Sequence, residues 1–286
     1  MPQSSTYILT LSCPDRRGIV AAVSGFLAQS DCFIMESADF GDPLSGRFFQ
    51  RIVFRTDGPK PSRNGLEEQF EIIARRFDMQ WALHDAQRKA RLIVMVSKFG
   101  HCLNDLLYRH RANVLPVEIA AVVSNHDDFA EVVGWHGIPF HHWPVGPDDK
   151  GAVERRLIDL VESEKIDLVV LARYMQILSP ELCAKLSGRA INIHHSFLPS
   201  FKGARPYHQA HKRGVKLIGA TAHYVTTDLD EGPIIEQAVE RIDHTHTPDD
   251  MVAIGRDIEN VVLARAIKLH VEHRVLLNGH KTVVFR

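Results

Sequence analysis

The sequence predicts a doubly wound, mainly parallel α/β sheet over residues 86–286, preceded by a small α+β unit over residues 1–85. Three observations carry this. The opening segment orders its elements β-α-β-β-α-β. The remainder alternates continuous apolar runs with amphipathic stretches, the pattern of a parallel sheet covered on both faces. Between them lies a short polar linker, Asp85-Ala86-Gln87-Arg88-Lys89-Ala90.

In the first unit, residues 7–11 alternate as a strand stopped by Cys13-Pro14-Asp15. Ile19, Val20, Val23, Phe26 and Leu27 recur on one helical face. A strand over 32–38, a turn cluster over 41–46 and a strand over 48–54 follow. After a Pro/Gly-rich loop at 57–65, Leu66, Phe70, Ile73 and Phe77 stripe a second helix, and 79–84 closes as a strand. The order is the split ferredoxin-like arrangement.

The stretch Leu11-Ser12-Cys13-Pro14-Asp15-Arg16-Arg17-Gly18-Ile19-Val20 resembles the start of an ACT domain, a regulatory module that often binds amino acids. The resemblance implies an amino-acid effector, with glycine and methionine as candidates. It also implies a homo-oligomer, because such sheets commonly pair across subunits. From the residues alone, Gly18 reads equally well as the tight turn into the helix.

The second unit opens with the apolar strand 91–97. A helix over 102–111, a strand over 114–124, a helix over 128–135 and a strand over 139–143 come next. A helix over 152–164, the strand 168–171 and the strand 190–194 follow. Residues 217–226 and 234–239 form a β pair joined by the acidic loop 227–233, and a long helix covers 249–271. Asn278-Gly279 between 274–277 and 281–285 is a hairpin signal.

Composition narrows the function classes. At 45% hydrophobic and 24% charged residues, the 286-residue chain is neither disordered nor fibrous. Thirty-four basic against thirty-five acidic residues leave a net charge of −1, which argues against a nucleic-acid partner. Apolar runs such as 166–172 fall well short of a bilayer span, so no membrane association is expected. The first ten residues lack the basic and apolar regions of a signal peptide. Cys13, Cys32, Cys102 and Cys183 form no CxxC pair and read as reduced thiols of a cytoplasmic protein.

Two short segments carry chemistry. In Ala190-Ile191-Asn192-Ile193-His194-His195, the strand period puts Asn192 and His194 on one face. Two polar side chains in a doubly covered sheet carry a desolvation cost unless partnered, and near a strand's carboxyl end they point into the ligand crevice. Alone, the pair reads as a structural Asn and a capping His. The second segment is Asp228-Leu229-Asp230-Glu231-Gly232-Pro233-Ile234. It is no calcium loop, since Gly232 falls at loop position five and Val239 stands where a bidentate Glu would be.

Together, Asn192-Ile193-His194 and Asp230-Glu231-Gly232-Pro233-Ile234 closely resemble the signature of the formyltransferases that use 10-formyltetrahydrofolate. The resemblance spans residues 90–286 and implies Asn192, His194 and Asp230 as the catalytic trio. Chemistry agrees with it. A formamide carbonyl under attack needs a donor for its oxyanion, which the Asn192 amide supplies. His194 as imidazolium donates a second bond or protonates the leaving N10, while Asp230 orients the ring and accepts the nucleophile's proton. The stretch 171–180 resembles the family's folate pocket, which implies substrate binding by Met175, Ile177 and Leu178. Gln176 departs from the Arg common among the transferases. Read without the resemblance, Met175 and Leu178 are ordinary core residues.

The formyl acceptor is read from the turn after the first strand. Ser97-Lys98-Phe99-Gly100-His101-Cys102-Leu103 keeps one glycine, and Phe99 and His101 intrude where a glycine-rich turn would cradle a phosphate. With the ACT-like segment and Lys202-Gly203-Ala204-Arg205-Pro206-Tyr207, this resembles the hydrolytic branch of the family, in which water replaces the amine. The implied reaction is hydrolysis of 10-formyltetrahydrofolate to tetrahydrofolate and formate, balancing one-carbon pools for purine biosynthesis. Transfer to glycinamide ribonucleotide is the alternative. Folate is then substrate, no cofactor is required, and no metal is expected, since the seventeen histidines form no HExxH or Cys/His quartet. His223 matches a family position that supports the trio. Arg205 and Tyr207 read either as closing the pocket or as surface loop; His101 and Cys102 read either as lining the water site or as a buried helix start.

Overall fold

A computed structural model describes residues 4–57, 62–146, 149–199 and 206–286. The chain gathers into two compact units. One runs up to Arg88 and takes in Glu272–Asn278 and Thr282–Arg286; the other holds Lys89–Val271 and Gly279–Lys281. The C-terminal segments, read from sequence as part of 86–286, thus group with the first unit.

The first unit is built from β1 (Ser4–Pro14), α1 (Ile19–Gln29), β2 (Cys32–Asp42), β3 (Arg47–Asp57), α2 (Arg63–Phe77) and β4 (Gln80–Asp85). Its antiparallel sheet has the order β2-β3-β1-β4, the expected α+β arrangement. Alternation along β1 buries Leu9, Leu11 and Cys13 in one core with Val23 and Leu27 of α1 and Leu66 and Phe70 of α2. β1 runs past its predicted end. Cys13 and Pro14 pair with Phe48 and Arg47, because a proline at the last rung costs the ladder little. Val20 is 44% exposed, since its 100° step from Ile19 turns it off the buried face. Gly18, at φ 91°, starts α1 from a left-handed conformation that a Cβ would strain.

The second unit runs β5 (Ala90–Val96), α3 (His101–Arg111), β6 (Val117–Ser124), α4 (Ala130–Trp135), β7 (Phe140–His142), α5 (Lys150–Ser163) and β8 (Leu168–Leu171). It continues through α6 (Pro180–Lys185), β9 (Ala190–His194), α7 (Pro206–Arg213), β10 (Leu217–Tyr224), β11 (Ile234–Arg241) and α8 (Pro248–Val271). The sheet order is β11-β10-β9-β8-β5-β6-β7. Strands β7 to β9 are parallel, and β10 and β11 add antiparallel to β9. From β5 the chain winds out to β6 and β7, then returns to β8 on the other side. The winding reverses between β5 and β8, the place where doubly wound sheets open a ligand crevice.

Leu92–Val96 and Leu168–Val170 are almost wholly buried, as strands covered on both faces must be. Two short helices went unpredicted. α6 carries a readable start, with the Ser179 hydroxyl accepting from Leu182 N at 3.2 Å and Pro180 in the first turn. α7 likewise opens on a proline, Pro206. β6 begins at Val117 rather than 114, and Val114 is exposed. α8 is capped reciprocally: Asp250 N donates to Thr247 Oγ1 at 3.2 Å and Thr247 N to Asp250 Oδ2 at 2.8 Å.

The predicted hairpin forms as β12 (Val275–Asn278) and β13 (Lys281–Val284). A buried arginine explains why this tail groups with the first unit. Arg51 on β3 is 3% exposed, and such a charge needs partners. It donates to Glu36 Oε1 at 2.9 Å and to the Glu272 carbonyl at 3.2 Å. Arg274 reaches the same Glu36 oxygen at 3.1 Å, and Asn278 Nδ2 donates to Asp42 at 2.7 Å.

Candidate active site

β9 lies inside the second sheet, so its side chains are placed by neighbours on both edges. In the β9–β10 ladder Asn192 stands opposite His223 and His194 opposite Thr221. Thr221 anchors the turn that leaves β9. Its hydroxyl donates to the Ser196 carbonyl at 2.9 Å and accepts from Leu198 N at 3.0 Å. Asp230 comes from the β10–β11 connection and sits at φ 57°. Gly232 is required there: a Cβ would collide with the Tyr224 carbonyl, so only glycine lets the loop close over the end of β10.

These placements bring two histidines to one carboxylate. Asp230 Oδ2 lies 3.3 Å from His194 Nδ1, and Oδ1 lies 3.7 Å from His223 Nε2. Burial pushes the Asp230 carboxyl up. Hydrogen bonds and charge from His194 and His223 outweigh that and hold it well below the usual carboxylate range. His223 Nδ1 lies 2.8 Å from the Tyr224 carbonyl, and its Nε2 lies 3.3 Å from Asn192 Nδ2. An amide nitrogen carries two N–H groups, so Asn192 can donate one bond beyond its contact with His223. His194 is 6% exposed, and its Nε2 is buried with no hydrogen-bond partner among the described residues. A buried nitrogen left unmatched beside a cavity is a group kept for a ligand.

That cavity encloses about 270 Å³, and Asn192, His194, Asp230, Met175, Ile177 and Leu178 all line it. Met175 and Ile177 are 53% and 63% exposed, so they are not core residues; they form an apolar mouth suited to a flat ring. Their loop is pinned by Met175 N, which donates to Ser97 Oγ at 3.0 Å. Sequence reasoning left out Arg173 and His195 of the cavity lining. His195 could have been found as the residue after His194, with their rings 5.0 Å apart. Its imidazole is pushed down to about 4 by burial, with Arg173 and His194 adding to the effect, so it is neutral near pH 7.

The other candidates separate. Tyr207 is buried on α7 and reaches Glu259, which excludes the surface-loop reading. Cys102 is 1% exposed and fits the buried helix start, whereas the His101 ring meets Glu259 at 2.8 Å. Residues 202–205, Arg205 among them, lie outside the described residues.

Similarity to known proteins follows the same lines. Residues 90–267 match the formyl transferase family. The chain is 49% identical over its full length to the formyltetrahydrofolate deformylase of Corynebacterium sp. (strain P-1), covering all of that protein. It superimposes on the crystal structure of formyltetrahydrofolate deformylase from Burkholderia mallei with a TM-score of 0.94 and 54% identity, over 99% of this chain and 100% of that one. Glycinamide ribonucleotide transformylase 1 from Symbiobacterium toebii is more distant, at 30% identity and a TM-score of 0.65, covering 69% of this chain and 95% of that one. Full-length likeness to the first two, against likeness confined to part of the chain for the third, decides the branch: this chain belongs to the formyl transferase family and, within it, to the formyltetrahydrofolate deformylases.

Proposed function

We propose that the protein hydrolyses 10-formyltetrahydrofolate to tetrahydrofolate and formate, with Asn192, His194 and Asp230 as its catalytic residues. The observation that carries the assignment of roles is the unpartnered His194 Nε2 in a cavity lined by Asn192 and Asp230. Folate enters past Met175, Ile177 and Leu178. Asn192 donates an N–H to the formyl oxygen as negative charge develops there. Water attacks the formyl carbon and gives a proton to His194 Nε2. Asp230, held in its charged form, orients the ring and stabilises the imidazolium through Nδ1. Collapse of the tetrahedral centre breaks the C–N10 bond, and His194 returns the proton to N10. Formic acid leaves and ionises in solution. Acid and base are both side chains, so the scheme calls for no cofactor and no metal.

The depressed basicity of Asp230 favours His194 over Asp230 as first proton acceptor. The first unit is assigned a regulatory role as an ACT domain that binds glycine or methionine, supported by its β-α-β-β-α-β order and the Gly18 turn. Exposed Phe33, Met35 and Phe40 on edge strand β2 support a homo-oligomer. Among the described residues no helix is long and apolar enough to cross a membrane, and the reading places the protein in the cytoplasm, serving one-carbon and purine metabolism.

The test is formate release by purified protein, with and without glycinamide ribonucleotide. Formate appearing stoichiometrically with tetrahydrofolate in both cases is expected. A formylated amine made at a comparable rate would establish the transferase instead.

A further inference from the structure

Strands β8, β5 and β6 lie side by side and parallel, so the segments that leave their carboxyl ends emerge at one edge of the sheet. One serine ties these three segments together. Ser97, the first residue after β5, is 3% exposed. Its amide donates to the Arg173 carbonyl at 3.2 Å, and its Oγ accepts from Met175 N at 3.0 Å, both in the segment after β8. The hydroxyl proton goes the other way, to Asn125 Oδ1 just after β6, at 2.7 Å. The segment so held forms the apolar mouth of the cavity, and it needs holding. Arg173 sits at φ 66°, a left-handed conformation that costs a non-glycine residue energy and persists where its surroundings impose it. Among the described residues, the main-chain groups of Gln176, Ile177 and Leu178 find no hydrogen-bond partner. Main-chain restraint comes from the two ends, Met175 N on Ser97 and Ser179 N on Glu154 Oε1 at 2.8 Å. Tyr174 and Leu178 pack on the core, which fixes the depth of the segment and leaves the direction of Met175 to the Ser97 bond.

Resting on the folate reading above, we propose that Ser97 is a positioning residue for the substrate: its hydroxyl, oriented by Asn125, sets the shape of the mouth and so the affinity for the folate ring. Ser97 is not part of the cavity lining, whereas Arg173 and Met175 are, so it acts through the segment it holds. A hydroxyl suits this post because it accepts one bond while donating another. Alanine would leave the Met175 amide and the Asn125 oxygen without it; threonine would keep it. The reacting groups are held elsewhere, Asn192 and His194 on β9 and Asp230 on the β10–β11 connection. Loosening the mouth therefore weakens binding and leaves the chemical step alone.

The experiment compares full-length wild type, Ser97→Ala, Ser97→Thr, Asn125→Ala and the double variant Ser97→Ala with Asn125→Ala. Calorimetry reads the Kd for tetrahydrofolate, and formate release reads KM and kcat. Ser97→Ala should raise Kd and KM roughly tenfold, the scale of one lost hydrogen bond, with kcat within about twofold of wild type. Ser97→Thr should restore both. Asn125→Ala should act in the same direction and more weakly, and the double variant should be no worse than Ser97→Ala, because Asn125 works through that hydroxyl. An unchanged Kd in a folded Ser97→Ala would overturn the proposal. So would a fall in kcat at constant KM, or effects that multiply in the double variant. If Ser97→Ala does not fold, Asn125→Ala decides alone, and a Kd equal to that of wild type overturns the proposal. Wild type that binds tetrahydrofolate but releases no formate refutes the hydrolytic reading separately, because the Kd comparison is made without turnover.

Discussion

Two carboxylates of the second unit, half-buried Asp230 and buried Glu259, meet histidine in the same way and end in opposite conditions. Both are held ionised by imidazole partners against the pull of burial. Asp230 rides a loop in a left-handed conformation, and its partner His194 keeps one ring nitrogen unmatched in the cavity. Glu259 is mid-helix and has partners on both oxygens. A half-satisfied pair can exchange a proton with a substrate; a satisfied one contributes a fixed charge. The contrast separates a carboxylate beside an open ring nitrogen from one whose partners are complete.

The largest effect expected is kinetic. Asp230→Asn should lower kcat by at least ~10²-fold, the scale of losing a key polar group at a tetrahedral centre. KM for the folate should change little. Near-normal turnover in steady-state assays would end the contrast, since Asp230 would then be structural as well.

Glu259→Leu should register in stability before chemistry. It strands His101 and Arg173 without their counter-charge, at a cost of about 3–5 kcal/mol. Urea denaturation measures this, and adding Arg173→Met should recover much of it. A loss below about 1 kcal/mol, the scale of an exposed pair, would show the hub to be solvated.

A smaller effect concerns His195. Its folded pKa, about 4, lies below the ordinary 6.5. The unfolded chain therefore binds more protons between those values, and stability falls as pH drops from 6.5 toward 4. His84 of the first unit is shifted in the same sense, to about 4, by burial and then by Arg63 and Arg88. His195→Gln should remove only part of the slope in denaturation midpoints across that window; an unchanged slope would show that His195 is solvated in the folded state.

The mildest expected effect on chemistry comes from starting the chain at Ala86. Formate release should persist while any response to glycine or methionine disappears. The tail makes this a demanding test, because Glu272 and Arg274 would lose Arg51 and Glu36. Complete loss of turnover in a well-folded truncated chain would contradict the division of labour.

That Asn192, His194 and Asp230 line one cavity was legible through the family resemblance of two contiguous stretches, while strand periodicity alone places the first two on one face. His223 was legible only through its match to a family position. Glu259 was not. In the pattern of a long helix, an acidic residue four positions after Gly255 reads as solvated surface, and nothing local announces three partners drawn from α3, α7 and the end of β8. The short helices α6 and α7 escaped because six or eight residues hold too few turns to show a periodicity. Pro14 misled in the opposite sense, as a stop signal inside a strand that outlasts it.

Local chemistry is what the sequence determined by itself: the β-α-β-β-α-β unit, the alternating parallel sheet, the Asn192 and His194 face and the Asp230 loop. Each depends on residues a few positions apart, where backbone period and turn chemistry act. Tertiary structure alone decided which nitrogen of His194 is left open, that Met175 and Ile177 stand at a mouth rather than in the core, and that the C-terminal tail groups with the first unit. Glu259 and Arg51 find their partners 158 and 221 residues away along the chain. At such separations a charge's burial depends on how whole elements pack, and no local pattern encodes that.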